Sequence, residues 1–435
     1  MLNDLILYKK YLELMYYIYK ISIKYPKSEK SGIVLDIKNT LFLGLNNIIY
    51  FHKTNKLLYL DYLDNNIKVL LVLYRISYKM KYISIKNYTA FSKKITIIDN
   101  IRKGLYENIT YNNFLNAYFK TKAFKSYNKE LLEFNLNYEI NLINLMNDII
   151  LFKYNISSYK SFTIYEPKMR IIRSLPFKDR IVQTWYVESF LKPYFVPRFI
   201  YDSYACICDK GTHKAIYRLK YFMRCMSNKY NNYYIIKFDI SKFFDSINKD
   251  ILFNILKEYI YDKYLLKFTY ILIYSYKYNG IPIGNYSSQY FANIYLNKLD
   301  YYIKYDLRVK YYIRYMDDFI ILVKDKEEAR KIYKLVEKFL NDKLLLKLNP
   351  KSKYFPNQLG CHFLGFVVYD RYILLNKKFK NKLYKKVKIW NKLYDNGLLD
   401  SKKFILSYNS YKGHMKHSNS YNFIKIVNNK LKIKL

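Results

Sequence analysis

Cysteine is scarce: Cys206, Cys208, Cys225 and Cys361 are the only four among 435 residues, and no two form a C-x-x-C pair. A zinc ribbon or a disulfide framework is therefore not expected, and free thiols suit a reducing cytoplasm. Apolar runs are short as well. None reaches the roughly 18 residues that read as a membrane span, so no membrane partner is expected. The opening stretch MLNDLILYKKYLELMYYIYK is interrupted by charges and followed by no small-residue cleavage site, so it reads as an amphipathic helix and not a signal peptide. Solenoid repeats and long low-complexity linkers are missing. Acidic residues are few, 34 against 76 Lys and Arg, for a formal net charge of +42. Such an excess favours a polyanion as partner. Lys, Asn, Ile and Tyr are all abundant, as an AT-rich gene would dictate, so the charge alone does not prove nucleic-acid binding.

What is present is 51% hydrophobic and 25% charged residues, the composition of a folded protein long enough for two or three domains. Residues 1–106 read as a four-helix bundle. Leu5, Leu12, Met15 and Tyr19 recur at helical spacing until Pro26. A second stripe joins Val34, Ile37, Leu41, Leu45 and Ile48; a third helix spans about Leu57–Met80. Ser84 is placed to cap a fourth that runs through Phe91 and Ile98. Short connections favour antiparallel packing. Another helical stretch is expected over 111–150, then mixed strands and helices from Ser161 to about Leu375, then a lysine-rich helical tail. Asn-Gly at 279–280 and 396–397 marks turns.

The chemistry concentrates in YYIRYMDDFIILV (311–323), where β-forming residues flank adjacent acids. This predicts a hairpin with Asp317 and Asp318 at its tip. Adjacent Asp in a turn are commonly only solvated. Here YYIIKFDISKFFDSI (233–247) places a third acid, Asp239, at the end of a β-rich run. Carboxylates at two strand ends can converge on hard divalent cations, which would stabilise the attacking and leaving oxygens of phosphoryl transfer.

At these residues the chain resembles reverse transcriptases. FDISKFF resembles their first palm motif and YMDD their metal-binding turn. GIPIGNYSSQYFANIYL (280–296) resembles the segment that contacts template and incoming nucleotide, IYEPKMRIIRSLPFKDRIVQ (164–183) the fingers motif, SYACICDKGTHKAI (203–216) the element after it, and GCHFLGFVVYD (360–370) the primer grip. The resemblance implies an α+β right-hand polymerase fold behind the bundle: 107–235 N-terminal helices and fingers, 236–372 palm, 373–435 short thumb, with no endonuclease or RNase H domain after it. It implies Asp239, Asp317 and Asp318 as catalytic residues and Asp239, Ile240, Asp317 and Asp318 as the positions binding two Mg2+ ions, or Mn2+ in their place. Lys168, Arg170, Phe244, Ile283, Gly284 and Gln289 are the implied nucleotide-binding residues, with Phe244 as a steric gate against the ribose 2′-hydroxyl. Asp245 is read as structural. Lys351 and Lys353 both lie near the fourth palm motif, and the choice between them stays open.

Most relatives carry Gln-Gly and Ser-Pro where this chain has Ile283-Gly284 and Ser288-Gln289. That pattern resembles the reverse transcriptases of diversity-generating retroelements, which misincorporate opposite template adenines. Replacing an amide by an alkyl group removes hydrogen-bonding capacity beside the nascent pair. Ile207 stands where relatives often have Arg, which leaves that template contact in doubt. KYPKSEK (24–30) and LVLYRISYKMKYISIKNY (71–88) resemble the four-helix accessory variability protein of the same retroelements. The implied partners are template RNA, primer or cDNA and deoxynucleoside triphosphates, with a homo-oligomer through the bundle left open; a cytoplasmic bacterial or phage-encoded setting follows from the same resemblance. A phage-defence reverse transcriptase shares these motifs, and a non-catalytic RNA-binding scaffold is the alternative of another class. In the tail SYNSYKGHMKHSNSYNF (407–423), His414 and His417 stand at i, i+3 without a Cys or acid cluster, so RNA contact or packing is expected ahead of metal binding.

Overall fold

A computed structural model describes residues 6–54, 58–102, 108–123, 129–165, 169–260 and 262–433. The expected boundary at 106 and the nucleotide-binding candidate Lys168 lie outside them. The chain divides into two compact units, Met1–Ser157 with Phe177–Trp185 and Phe253–Ser275, and Ser158–Pro176 with Tyr186–Leu252 and Tyr276–Leu435.

The first unit is helical. Helices α1 (Ile6–Ser22), α2 (Ile33–Thr54), α3 (Leu58–Lys79) and α4 (Ile85–Arg102) share one apolar core. Val34, Ile37, Leu41 and Ile48 are buried in it, as their spacing predicts, while Leu45 is only partly covered. Gly44 permits a close approach between helices: a Cβ there would lie 2.0 Å from the Tyr11 hydroxyl. Ser84 accepts the Asn87 amide at 3.2 Å and so opens α4. The helical stretch expected over 111–150 is three helices, Tyr111–Lys122, Lys129–Leu136 and Tyr138–Ile150. Thr110 caps the first by accepting from Asn113. Phe114 stacks on Trp185 at 4.8 Å, whose indole N–H donates to the Asn108 carbonyl at 2.9 Å.

The second unit is α+β. Hairpin β1 (Lys160–Ile164) and β2 (Arg170–Ser174) stands as its own antiparallel pair. A four-stranded antiparallel sheet has the order β4-β5-β3-β6, formed by Tyr312–Tyr315, Asp318–Val323, Tyr234–Phe238 and Lys353–Pro356. Strand alternation divides its side chains. Ile235, Ile313, Ile320 and Leu322 face a core shared with helix α9 (Thr212–Ser227). On the other face Phe238 stacks on Phe319 and on Tyr333 of the helix Lys326–Leu344. A second antiparallel sheet, β7 (Cys361–Phe363), β8 (Phe366–Val368) and β9 (Ile373–Leu375), extends the first core. Three helices, Lys377–Asp395, Ser401–Met415 and Tyr421–Lys430, close over it through Leu383, Trp390, Phe404 and Val427. Among the described residues no helix is long and apolar enough to cross a membrane.

Candidate active site

The β4–β5 hairpin is closed by the pair Tyr315 and Asp318, so Met316 and Asp317 alone form its turn. The expected tip therefore shifts by one residue, and Asp318 begins β5. Met316 takes a left-handed φ of 57°, the geometry a two-residue hairpin turn requires. The pairing of Phe238 with Phe319 continues to place Asp239 opposite Asp318. Alternation puts Lys237, Asp239 and Asp318 on one sheet face.

Backbone contacts pin Asp239. Its N–H donates to the Ser352 hydroxyl at 3.0 Å, and its carbonyl accepts from that hydroxyl at 3.1 Å and from the Asn349 amide at 2.8 Å. Ser241 donates to the Lys347 carbonyl on the other side of the Ile240–Leu348 bridge. These bonds flank Ile240, so its own carbonyl faces away from Leu348. Lys237 lies 3.3 Å from Asp318 and also donates to the His362 carbonyl at 2.6 Å. Burial pushes the Asp318 carboxyl up to about 6; Lys237 pulls it down, and Asp239 and Asp317 push it up. One Asp318 oxygen is buried without a hydrogen-bond partner.

Concentrated acids with an orphaned carboxylate oxygen suit a hard cation. Among the described residues, however, no three His, Cys, Asp or Glu side chains converge closely enough to hold one. Lys237 engages one Asp318 oxygen, which leaves Asp239, Asp317, the Ile240 carbonyl and the other Asp318 oxygen as candidate donors. Magnesium fits that set, because it is commonly held by one or two carboxylates and completed by water and substrate phosphates.

Beneath the turn runs a buried polar network that the sequence reading missed. Arg314 and Asp300 are both 0% exposed and form a two-pronged ion pair at 2.7 and 2.6 Å. Arg314 also donates to Asn293 at 2.9 Å and to the Met316 carbonyl at 3.2 Å, within the turn itself. Tyr312 donates to Asp300 at 2.6 Å. An arginine in an apolar strand two residues before the turn was the available signal.

Phe244 is half-buried in the short helix Phe243–Ser246, which starts from a left-handed Lys242. Its carbonyl accepts from the Ile281 amide at 2.9 Å, which ties it to the 280–284 loop. Ile283 is half-buried, and its carbonyl accepts from the Arg173 amide on β2 at 2.8 Å. Gly284 has φ 129°, and a Cβ there would lie 2.6 Å from the Arg173 carbonyl oxygen. Arg173, another residue the sequence reading passed over, lies over the Tyr278 ring at 4.2 Å. Arg170 is exposed on β2, and Gln289 is exposed on the helix Tyr286–Tyr301, where it accepts from the Cys206 thiol at 3.3 Å. Asp245 is exposed. Lys351 and Lys353 are exposed too, and Lys353 covers the Phe355 ring at 5.7 Å.

Residues 160–368 match the family model described as reverse transcriptase (RNA-dependent DNA polymerase). The chain carries a reverse transcriptase domain. Every catalytic and nucleotide-binding candidate lies inside that match, the N-terminal helices outside it. No curated protein matches the chain. Among solved structures, it is similar to telomerase from Candida albicans in complex with a TWJ fragment of telomeric RNA, at 13% identity and a TM-score of 0.40, covering 68% of this chain and 64% of that one. Apo telomerase from Candida tropicalis truncated from its C-terminal domain matches at 13% identity and a TM-score of 0.37, covering 53% and 59%. This chain thus spans less than two thirds of the length of those telomerase chains.

Proposed function

We propose that the reverse transcriptase domain is an active RNA-directed DNA polymerase, adding deoxynucleotides to a primer 3′ end on an RNA template. The observation that carries this reading is that Asp239 stands opposite Asp318 at the ends of two paired strands, with Asp317 in the adjoining turn, inside the family match. Magnesium bound there would stabilise the attacking and leaving oxygens of the transfer. The protein's own part is positioning. Asp239, Asp317, the Ile240 carbonyl and one Asp318 oxygen would hold the ions, while the other Asp318 oxygen keeps Lys237 in place. Arg170, with Lys168, supplies positive charge for the triphosphate. The Phe244 ring, carried on a backbone tied to the 280–281 loop, excludes a 2′-hydroxyl.

Within that activity we assign the chain to diversity-generating retroelement mutagenesis. Ile283 and Gln289 support the assignment, together with an N-terminal helical region that offers no catalytic cluster but exposes Lys79, Lys81 and Lys86 for RNA phosphates. Sequencing cDNA made by the full chain on a defined RNA template tests both levels. Absence of cDNA removes the polymerase reading. Errors concentrated at template adenines support the mutagenic one; uniformly low error with abundant cDNA leaves phage defence as the better role.

A further inference from the structure

The loop 280–284 carries a glycine at each end, and each glycine lies against the backbone of a different element. Gly280 has φ 74°, and a Cβ there would lie 2.2 Å from the Phe244 carbonyl oxygen and 2.6 Å from the Asp245 Cα. Gly284 meets the Arg173 carbonyl oxygen in the same way. Hydrogen bonds pin the residues just inside. Ile281 donates to the Phe244 carbonyl at 2.9 Å, and the Ile283 carbonyl accepts from Arg173 at 2.8 Å. Between these bonds Ile281 and Pro282 are buried, and the proline ring removes one of the few free torsions.

Side chains reinforce the connection to the β1–β2 hairpin. The Arg173 guanidinium lies 4.2 Å from the Tyr278 ring and 5.4 Å from the Tyr276 ring. Tyr159, just before β1, meets Tyr276 edge-on at 5.5 Å and accepts from Asn285 at 3.0 Å. On the other side Lys249, a few residues past Phe244, donates to the Tyr276 carbonyl. The hairpin and the Phe243–Ser246 turn thus grip the two ends of one short, stiff piece of chain.

We infer that this loop is a strut through which the β1–β2 hairpin sets the position of Phe244, so that Arg173, Tyr278 and Gly280 are positioning residues for discrimination against ribonucleotides. Residues 281–283 reach about 10 Å at most. A shift of β2 is therefore not absorbed inside the loop and passes to the Phe244 backbone. A steric gate works by the clearance between its ring and the 2′-hydroxyl, and a misplacement of about 1 Å is enough to spoil such a fit. The coupling is reciprocal: a nucleotide that seats the hairpin through Arg170 also seats the gate. The inference rests on the reading of Phe244 as the sugar gate, and the first readout below is independent of that reading.

Hydrogen–deuterium exchange of the full chain supplies that readout. Tyr278 is 61% exposed, so Tyr278→Leu removes the ring beside Arg173 without opening the core. Exchange should quicken at the Ile281 amide and across 243–247 as well as in β2, and Tyr278→Phe, which keeps the ring, should retain the wild-type pattern. Quickening confined to β2 and the 276–279 turn would show a local anchor and overturn the strut. The second readout is the ratio of kcat/KM for a deoxynucleotide to that for its ribonucleotide in primer extension. Tyr278→Leu should lower it about two- to fivefold. Gly280→Ala, whose methyl pushes directly on the gate backbone, should lower it about tenfold or more. In a Phe244→Ala background Tyr278→Leu should lower it no further, because the ring through which it acts is gone. Reductions that multiply in the double variant contradict the strut. A ratio that Phe244→Ala itself leaves unchanged removes the gate reading alone, and the exchange result then decides whether the strut stands.

Discussion

Two antiparallel hairpins of the reverse transcriptase domain are built to opposite specifications. In β4–β5 every strand residue is buried except the closing pair Tyr315 and Asp318, which is half-buried. In β1–β2 the first strand is exposed throughout, with Phe162 51% and Ile164 41% exposed, and Ile171 of the second strand is 49% exposed. The first hairpin lies inside a four-stranded sheet and is fixed from below by Arg314 and Asp300. The second is a lone two-stranded ribbon, marginal by itself, and is anchored by the Arg173 amide on Ile283 and the Arg173 guanidinium over Tyr278. Rigid placement goes to the acids, where small displacements are costly. Apolar side chains left in solvent go to the hairpin that carries Arg170, where a substrate would cover them.

That contrast can be broken from either side. The largest effect should come from Arg314→Leu, which strands the Asp300 carboxylate in the interior. Breaking a buried pair typically costs about 3–5 kcal/mol, so a marked fall in the denaturant midpoint is expected, and Arg314→Met with Asp300→Leu should recover much of it. A midpoint shift near zero for the single variant would show the network to be dispensable. Gly284→Ala should cost less, roughly 1–3 kcal/mol, because its Cβ would collide with the Arg173 carbonyl and strain a left-handed position. A raised KM for deoxynucleotides should accompany the loss, since β2 must shift. Smallest is Phe162→Ser. An exposed strand residue should change stability by no more than about 0.5 kcal/mol, so equilibrium unfolding should hardly move while primer extension weakens. A large stability loss would mean that the two hairpins do not differ as described.

Much of the site was legible because its residues are local in sequence. The paired acids, the strand before Asp239 and the 280–284 loop all announce themselves through short motifs with β-forming flanks. What escaped depends on distant partners. Ser352 reaches Asp239 across 113 residues, Asp300 needs Arg314 to explain its burial, and Lys237 looks like one cation among many until the register sets it diagonally from Asp318. His414 and His417 were readable as a pair, but His213, which stacks on His417, lies far earlier in the chain. The N-terminal helices were readable from apolar spacing and caps, whereas the break of 111–150 into three helices was not, since apolar residues continue through it.

The most direct test of the central claim is primer extension on an RNA template with magnesium, comparing wild type with Asp317→Asn. Exchanging a carboxylate for an amide of the same size withdraws one charged oxygen donor at the tip of β4–β5 without touching the buried network. Wild type should extend the primer with deoxynucleotides. The variant should show extension reduced by at least about a hundredfold, a loss of roughly 2.7 kcal/mol of transition-state stabilisation, with an unchanged unfolding midpoint and nearly unchanged RNA affinity. Extension at wild-type rates by a folded Asp317→Asn protein would contradict the assignment of these acids as the catalytic centre.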